Sequence, residues 1–195
     1  MKPNEDDIVV SGISGRFPNS DNIEEFWCNL ISGNELCSAD DRRWPVGFMG
    51  TPPISGKMKE ISKIDAEFFK MCAKEAEFLD PQYRVLHEVV YEAIYDAGLI
   101  PETLRGSKTA VLVGECVKEV NHDFGRDLLE RDKDRALVEN DCGFLALTFG
   151  FKSAAFKIDT ACASSFSCFN EGINMIKARH CENLVIGGVS LNLTP

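Results

Sequence analysis

The chain is poor in the residues that would assign it to several common classes. It has three histidines, His87, His122 and His180, and no two of its eight cysteines are spaced as Cys-x-x-Cys. No histidine lies at metal-ligand spacing from a cysteine, so a structural zinc site is not expected. Lysine and arginine nowhere cluster, and the 21 of them are outnumbered by 31 acidic residues, for a formal net charge of −10. Without a positive patch to neutralise phosphate or lipid head groups, neither nucleic acid nor a membrane surface is an expected partner. The longest largely apolar stretch, residues 143–151, has nine residues, against the ~20 that a spanning helix needs. The start, Met1-Lys2-Pro3-Asn4-Glu5-Asp6-Asp7, lacks the apolar region of a secretory signal, so the cytoplasmic compartment is the expected location. Internal repeats and low-complexity tracts are also missing.

What is present is a folded acidic chain: 195 residues, 44% apolar and 27% charged, enough for a core that needs no disulfide or metal. The cysteines, Cys28, Cys37, Cys72, Cys116, Cys142, Cys162, Cys168 and Cys181, are spread widely. Most are expected to be reduced and buried, as small hydrophobes.

Residues 1–7 read as a flexible tail. The run Ile8-Val9-Val10-Ser11-Gly12 predicts a buried strand leading to a turn at Gly15-Arg16-Phe17-Pro18. Asp21 with Glu24 gives a capping-box pattern ahead of Ile23, Phe26, Trp27, Leu30 and Ile31 at helical spacing. Residues 36–63, with Pro45, Pro52 and Pro53, read as an ordered, irregular surface excursion. Short helical pieces are expected over 64–79. A strong helix should start at Pro81 and end at Gly98, its stripe formed by Val85, Leu86, Val89, Val90, Ala93, Ile94 and Ala97.

Strands are expected over 109–114, 156–160 and 184–189, with a charged solvated face over 120–134 and a helix over 135–147. A further helix is expected over 164–178, with Phe166, Phe169, Ile173 and Ile176 on one side. The strand at 184–189 is continuous and apolar, as parallel strands buried on both faces tend to be. Strands alternating with helices predict an α/β fold around a mostly parallel sheet with helices on both faces.

The informative junction is Ile158-Asp159-Thr160-Ala161-Cys162-Ala163-Ser164-Ser165, where a strand gives way to a helix through small residues. A nucleophile at such a turn projects from the sheet edge, and small neighbours let a substrate carbonyl approach. Cys162 would then lie at a helix N-terminus, whose unpaired N–H groups favour the thiolate and can stabilise an oxyanion. Position alone weighs this evenly against Cys162 being one more packed cysteine. The framework of the turn is Asp159, Thr160, Ala161, Ala163 and Ser164.

Asp159-Thr160-Ala161-Cys162-Ala163-Ser164-Ser165 resembles the active-cysteine motif of the β-ketoacyl synthases, the condensing enzymes of fatty acid and polyketide synthesis. Segments that resemble the family in the same order run along the whole chain. They are Val10 to Pro18, Phe26-Trp27, Asp40-Asp41-Arg42-Arg43-Trp44, Ser55-Gly56-Lys57, Asp65-Ala66-Glu67-Phe68-Phe69, Leu79-Asp80-Pro81-Gln82-Tyr83-Arg84 and Val185-Ile186-Gly187-Gly188-Val189. The stretches at 40–44 and 55–57 are most similar to the animal-type fatty acid synthase.

The resemblance implies a thiolase-like condensing-enzyme fold of which this chain is the N-terminal half. It further implies that Cys162 accepts an acyl group from the phosphopantetheine thiol of acyl carrier protein, and that malonyl-carrier then supplies the two-carbon unit after decarboxylation. No cofactor is held directly. Two histidines and a lysine used by the family belong to a C-terminal half, the first expected partner; acyl carrier protein and a second copy in a homodimer are the others. His87, His122 and His180 match none of those positions, so the 195 residues alone are expected not to complete condensation.

Gly143-Phe144-Leu145-Ala146 and Lys152-Ser153-Ala154-Ala155 depart from the family pattern, and Lys157 stands where an apolar strand residue is usual, an expensive group to bury unpaired. Asp80 is expected to cap a helix and Arg84 to hold a carboxylate. Gly187-Gly188 reads as close backbone approach rather than a phosphate loop. Two other readings stay open: a degenerate ketosynthase half acting as a dimerisation or carrier-docking scaffold, and a cysteine peptidase, which would have to recruit its base histidine from a position with no supporting pattern.

Overall fold

The computed structural model describes residues 7–117 and 141–193. The expected charged face at 120–134, the first part of the helix expected at 135–147, His122 and nearly all of the expected tail lie outside them.

The framework is a parallel sheet of three strands, β3 (Thr109–Gly114), β4 (Ala155–Ile158) and β5 (Asn183–Gly188), in the order β4-β3-β5. Val111 pairs with Ala155 on one side and with Val185 on the other. Every residue of β3 is buried, so its side chains divide two cores by simple alternation. Val111 and Val113 join Leu79, Tyr83, Leu86, Val90, Ile94, Leu145 and Phe149 on one face. Ala110 and Leu112 join Cys168, Met175 and Cys181 on the other. The first face is covered by helices α3 (Pro81–Asp96) and α5 (Asp141–Phe149), the second by α6 (Ser164–Lys177).

Ahead of the sheet lie α1 (Ile23–Ile31), the two-residue antiparallel pair β1 (Cys37–Ser38) and β2 (Ser55–Gly56), and α2 (Ala73–Phe78); α4 (Pro101–Leu104) is a single turn. Between residues 36 and 63 regular structure amounts to β1, β2 and a 3₁₀ turn at Phe48–Gly50. Lys57 in this segment is buried, its Nζ donating to the Ser38 carbonyl at 2.8 Å and lying 3.7 Å from Asp40. No helix among the described residues is long and apolar enough to cross a membrane.

α3 forms where expected, with Pro81 in its first turn and the Asp80 carboxylate accepting from Gln82 N. Its buried stripe is Gln82, Tyr83, Leu86, His87, Val90 and Ile94, rotated from the purely aliphatic one toward polar-looking residues. His87 is fully buried, edge-on to Phe69 and stacked on Phe149, and its Nδ1 meets the Tyr83 carbonyl at 2.6 Å. Burial pushes its pKa down to about 4. Gly98 ends the helix with φ +75°, a conformation costly to residues with a Cβ.

Several expectations are corrected. Residues 8–12 form no strand: Ile8, Val9 and Val10 are exposed, and a strand without a ladder partner has no pairing to hold it. The start of α1 is capped one residue later than expected, by Asn22 accepting from Glu25 N, while Glu25 accepts from Asp21 N. No residue of α1 is buried, and Trp27, Leu30 and Ile31 stay exposed. Arg84 holds the carbonyls of Leu79, Ser62 and Glu77 rather than a carboxylate.

Of the side formed by Phe166, Phe169, Ile173 and Ile176, the first three are exposed and only Ile176 packs against the core; α6 buries Ser164, Cys168, Gly172 and Met175. Small residues win that face because the helix sits so near β5 that a Cβ on Gly172 would overlap Leu184. Five of the eight cysteines are exposed, and all eight are free; Cys142, Cys168 and Cys181 are the buried ones. β5 is half-buried and lies at an edge among the described strands, so its apolar run does not reflect cover on both faces.

The departures at 143–146 and 152–155 leave strand docking intact. Phe144, Leu145 and Ala146 are buried, Ser153 Oγ donates to the His180 carbonyl at 3.0 Å, and β4 pairs in register with β3. Lys157 is not buried unpaired. Its side chain is 34% exposed and its Nζ lies 3.2 Å from the buried carboxylate of Glu115, which also accepts from Tyr83 Oη at 2.8 Å. Loss of the lysine leaves a buried charge. Lys157→Met should therefore cost about 2 kcal/mol in denaturant unfolding, and combining it with Glu115→Gln should recover part of that loss; strictly additive costs would mean the pair is not coupled.

His87 makes a second prediction. Its proton is bound in the unfolded chain below about pH 6.5 but in the folded one only below about pH 4. Stability should therefore fall as pH drops through that window, by up to about 3 kcal/mol. A His87→Phe variant, followed by urea unfolding across the same window, should lose this component of the slope, whereas an unchanged slope would assign it to other groups.

Candidate functional site

The C-terminal end of the sheet is where strand, turn and helix meet most tightly. β4 ends at Ile158, a single 3₁₀ turn spans Ala161–Ala163, and α6 starts at Ser164. Gly114, the last residue of β3, lies under the first turn of α6: a Cβ there would stand 2.8 Å from Ser165 N and 2.9 Å from the Ser164 carbonyl carbon. Gly188, at the end of β5, has the same relation to the Ser165 side chain. This is the close approach expected of Gly187-Gly188, with Gly187 itself against Leu86.

Ala161 has φ +52°, in the left-handed region, which costs a residue with a Cβ roughly 1–2 kcal/mol. Two side chains offset that cost. Asp159 Oδ1 accepts from Ala161 N at 3.0 Å. Ser164 Oγ accepts from Thr160 N at 3.0 Å and donates to the Ala161 carbonyl at 2.6 Å. Thr160 Oγ1 is 2.7 Å from Ser167 Oγ, which ties the turn to the second turn of α6.

Cys162 lies at the middle of this clipped segment and is exposed. It belongs to the turn that feeds the helix rather than to the helix itself, two residues before Ser164. The N-cap residue is Ala163, which brings no side-chain acceptor, so the first N–H groups of α6 are not closed off by their cap. The expected framework residues Asp159, Thr160, Ala161, Ala163 and Ser164 are therefore brought together, with Ser164 buried and the others exposed.

Around the turn the chemistry is polar on one side and apolar on the other. Glu115, one residue past β3, donates its N–H to the Ile158 carbonyl at 3.3 Å and carries the Tyr83 and Lys157 contacts. Its Oε1 is buried without a hydrogen-bond partner among the described residues. Gln82 Nε2 donates to the Val117 carbonyl at 3.0 Å. On the other side β4 and α6 enclose an open groove lined by Phe156, Ile158, Phe166, Ser167, Asn170 and Glu171. No group of three or more His, Cys, Asp or Glu able to hold a metal is found among the described residues.

Sequence reasoning missed Cys116, which it grouped with the buried cysteines. Its thiol reaches the turn from the end of β3, 3.5 Å from Ser164 Oγ. The Ala161 N–H, and after it this thiol, hold the Asp159 carboxyl below its usual range. The available signal was its place two residues after a predicted parallel strand, at the edge where open α/β sheets gather functional groups. His180 is exposed just beyond the far end of α6, about 20 Å along the helix from the turn. His87 is sealed in the core.

Known proteins resemble this chain along nearly its whole length. The goose (Anser anser anser) "Fatty acid synthase" is 41% identical over 196 residues, covering 97% of this chain and 55% of the goose sequence. The Dictyostelium discoideum "Probable polyketide synthase 1" is 31% identical over 206 residues, covering all of this chain and 6% of that protein. Among solved structures, a ketosynthase from module 6 of the bacillaene synthase of Bacillus subtilis 168 superposes with a TM-score of 0.81 at 28% identity, over 95% of this chain and 32% of the other. The chain thus spans about half of the goose sequence and smaller shares of the other two. The family described as "Beta-ketoacyl synthase, N-terminal domain" matches residues 5–195. A mostly parallel sheet closing on a cysteine turn, in a chain matched along nearly its whole length, makes this protein a member of the β-ketoacyl synthase N-terminal domain family.

Proposed function

We propose that the chain is the nucleophile-bearing half of a decarboxylative condensing enzyme of fatty acid synthesis, with Cys162 as its acyl acceptor. The observation that carries this reading is an exposed cysteine held in a clipped strand-to-helix turn whose neighbours are small. The Cys162 sulfur attacks the carbonyl carbon of an acyl thioester on the phosphopantetheine arm of acyl carrier protein. The N–H groups at the start of α6 steady the oxyanion, the carrier thiol leaves with a proton, and the acyl group stays on Cys162. Malonyl-carrier then loses carbon dioxide, its enolate carbon attacks the enzyme thioester, and the 3-ketoacyl-carrier departs as the cysteine is freed.

The second stage needs groups to polarise the malonyl thioester, and neither His87 nor His180 lies at the turn. A C-terminal half is the partner that supplies them; these 195 residues by themselves supply the acyl-accepting stage. Exposed Trp27, Leu30 and Ile31 on α1 form an apolar face suited to such a partner. A second copy is expected against the open edge of β4, where Phe156, Ile158 and Phe166 line the groove. That edge also favours a second reading, a scaffold that dimerises or docks the carrier without chemistry. The chain works in the cytoplasm on this proposal, with no cofactor of its own.

Acyl transfer separates the two readings. Incubating the chain, or a longer protein containing it, with acyl-carrier and mapping the adduct by mass spectrometry should place it on Cys162 and lose it in Cys162→Ala. Ser164→Ala, which deletes the hydroxyl clip, should slow labelling about tenfold, a loss of ~1.4 kcal/mol. A longer protein with both halves that gives no adduct on Cys162 would favour the scaffold.

A further inference from the structure

The end of the sheet holds a second thiol for which the proposed reaction has no use. Cys116 is exposed and lies 3.5 Å from Ser164 Oγ, and its thiol is one of the groups that hold the Asp159 carboxyl below its usual range. Asp159 and Ser164 are the two clips of the turn, so at Ser164 Cys116 stands against the segment that carries Cys162. Cys162 precedes Ser164 by two residues, which limits their Cα separation to about 7 Å. The remaining exposed thiols belong elsewhere: Cys28 within α1, Cys37 in β1 and Cys72 at the N-cap of α2. Cys142, Cys168 and Cys181 are buried.

An exposed cysteine reactive enough to take an acyl group is also one that peroxide oxidises, and its sulfenic acid goes on to irreversible sulfinic acid unless a neighbouring thiol captures it. We propose that Cys116 is the resolving thiol of Cys162, closing a Cys116–Cys162 disulfide after peroxide oxidation and so giving the acyl-accepting site a reversible off-state. This rests on Cys162 being the acyl acceptor.

The steps balance. The Cys162 sulfur attacks one peroxide oxygen, the O–O bond breaks, and hydroxide leaves to form water as Cys162 becomes a sulfenic acid. The Cys116 sulfur then attacks the Cys162 sulfur, the S–O bond breaks as the S–S bond forms, and the hydroxyl leaves as water with the proton from Cys116. The two thiols supply the two electrons that peroxide takes, and a dithiol returns them.

The test treats the full chain with hydrogen peroxide, maps peptides without reduction, and measures acyl acceptance before oxidation, after it, and after dithiothreitol. The expected result is a Cys116–Cys162 linked peptide, at least a tenfold fall in acyl acceptance, and recovery of most of it on reduction. Cys116→Ser and Cys116→Ala should instead accumulate Cys162 sulfinic acid that dithiothreitol does not reverse. Equal rates of sulfinic acid formation in parent and variants, or linkage of Cys162 to Cys28, Cys37 or Cys72, would overturn the proposal. Acyl acceptance without the linked peptide would sink the thiol pair alone; the linked peptide in a chain that accepts no acyl group would sink the acyl-acceptor reading and keep the pair.

Discussion

The first turn of α6 sits directly on the ends of β3 and β5, and that contact exists because Gly114 and Gly188 have no Cβ to prevent it. Bringing the helix so close forces the chain to leave β4 and enter α6 in a few residues, which drives Ala161 to a positive φ. The Ser164 hydroxyl and the Asp159 carboxylate hold that conformation through three hydrogen bonds. Cys162 is presented at the sheet mouth as a consequence of helix seating, and the seating is a property of two glycines and one serine. Backbone strain of this kind persists only where its surroundings over-determine it.

The layers behind the turn serve the same geometry by different means. β3 is buried along its whole length and separates two apolar clusters, so its end cannot move without disturbing both. Where a carboxylate enters that interior, at Glu115, it is met by Tyr83 from α3 and Lys157 from β4. The buried acid and the strand lysine make sense together, since removing the lysine leaves the Glu115 charge in a poorly solvated place. The pair also joins the ends of β3 and β4 just before the turn begins.

Much of this was legible in the residues. The α3 helix announced itself through Asp80, Pro81, an aliphatic repeat and Gly98, all local signals acting over one helix length. The three parallel strands were found to within a few residues, because short runs such as Thr109 to Gly114 leave little alternative, and the Asp159 to Ser165 motif located the turn. What stayed hidden depended on distance in space. Phe166, Phe169, Ile173 and Ile176 read as one side of a helix without showing which side faces the sheet, and the inner face had to be Ser164, Cys168 and Gly172 for the helix to approach β5. Ile8 to Val10 read as a strand, but a ladder needs a partner that composition cannot supply. Lys157 looked misplaced until Glu115, 42 positions earlier in the sequence, was seen beside it. Cys116 passed unremarked for the same reason.

The central claim is that the seated turn makes Cys162 the most available thiol in the chain. Alkylation with a limiting amount of iodoacetamide, quantified at each cysteine by peptide mass spectrometry, tests it directly. The account predicts that Cys162 is modified ahead of the other exposed thiols, Cys28, Cys37, Cys72 and Cys116, and that a Gly114→Val substitution erases this lead by lifting α6 off the strand end. Modification of Cys162 no faster than that of Cys28 or Cys37 in the unsubstituted chain would contradict it.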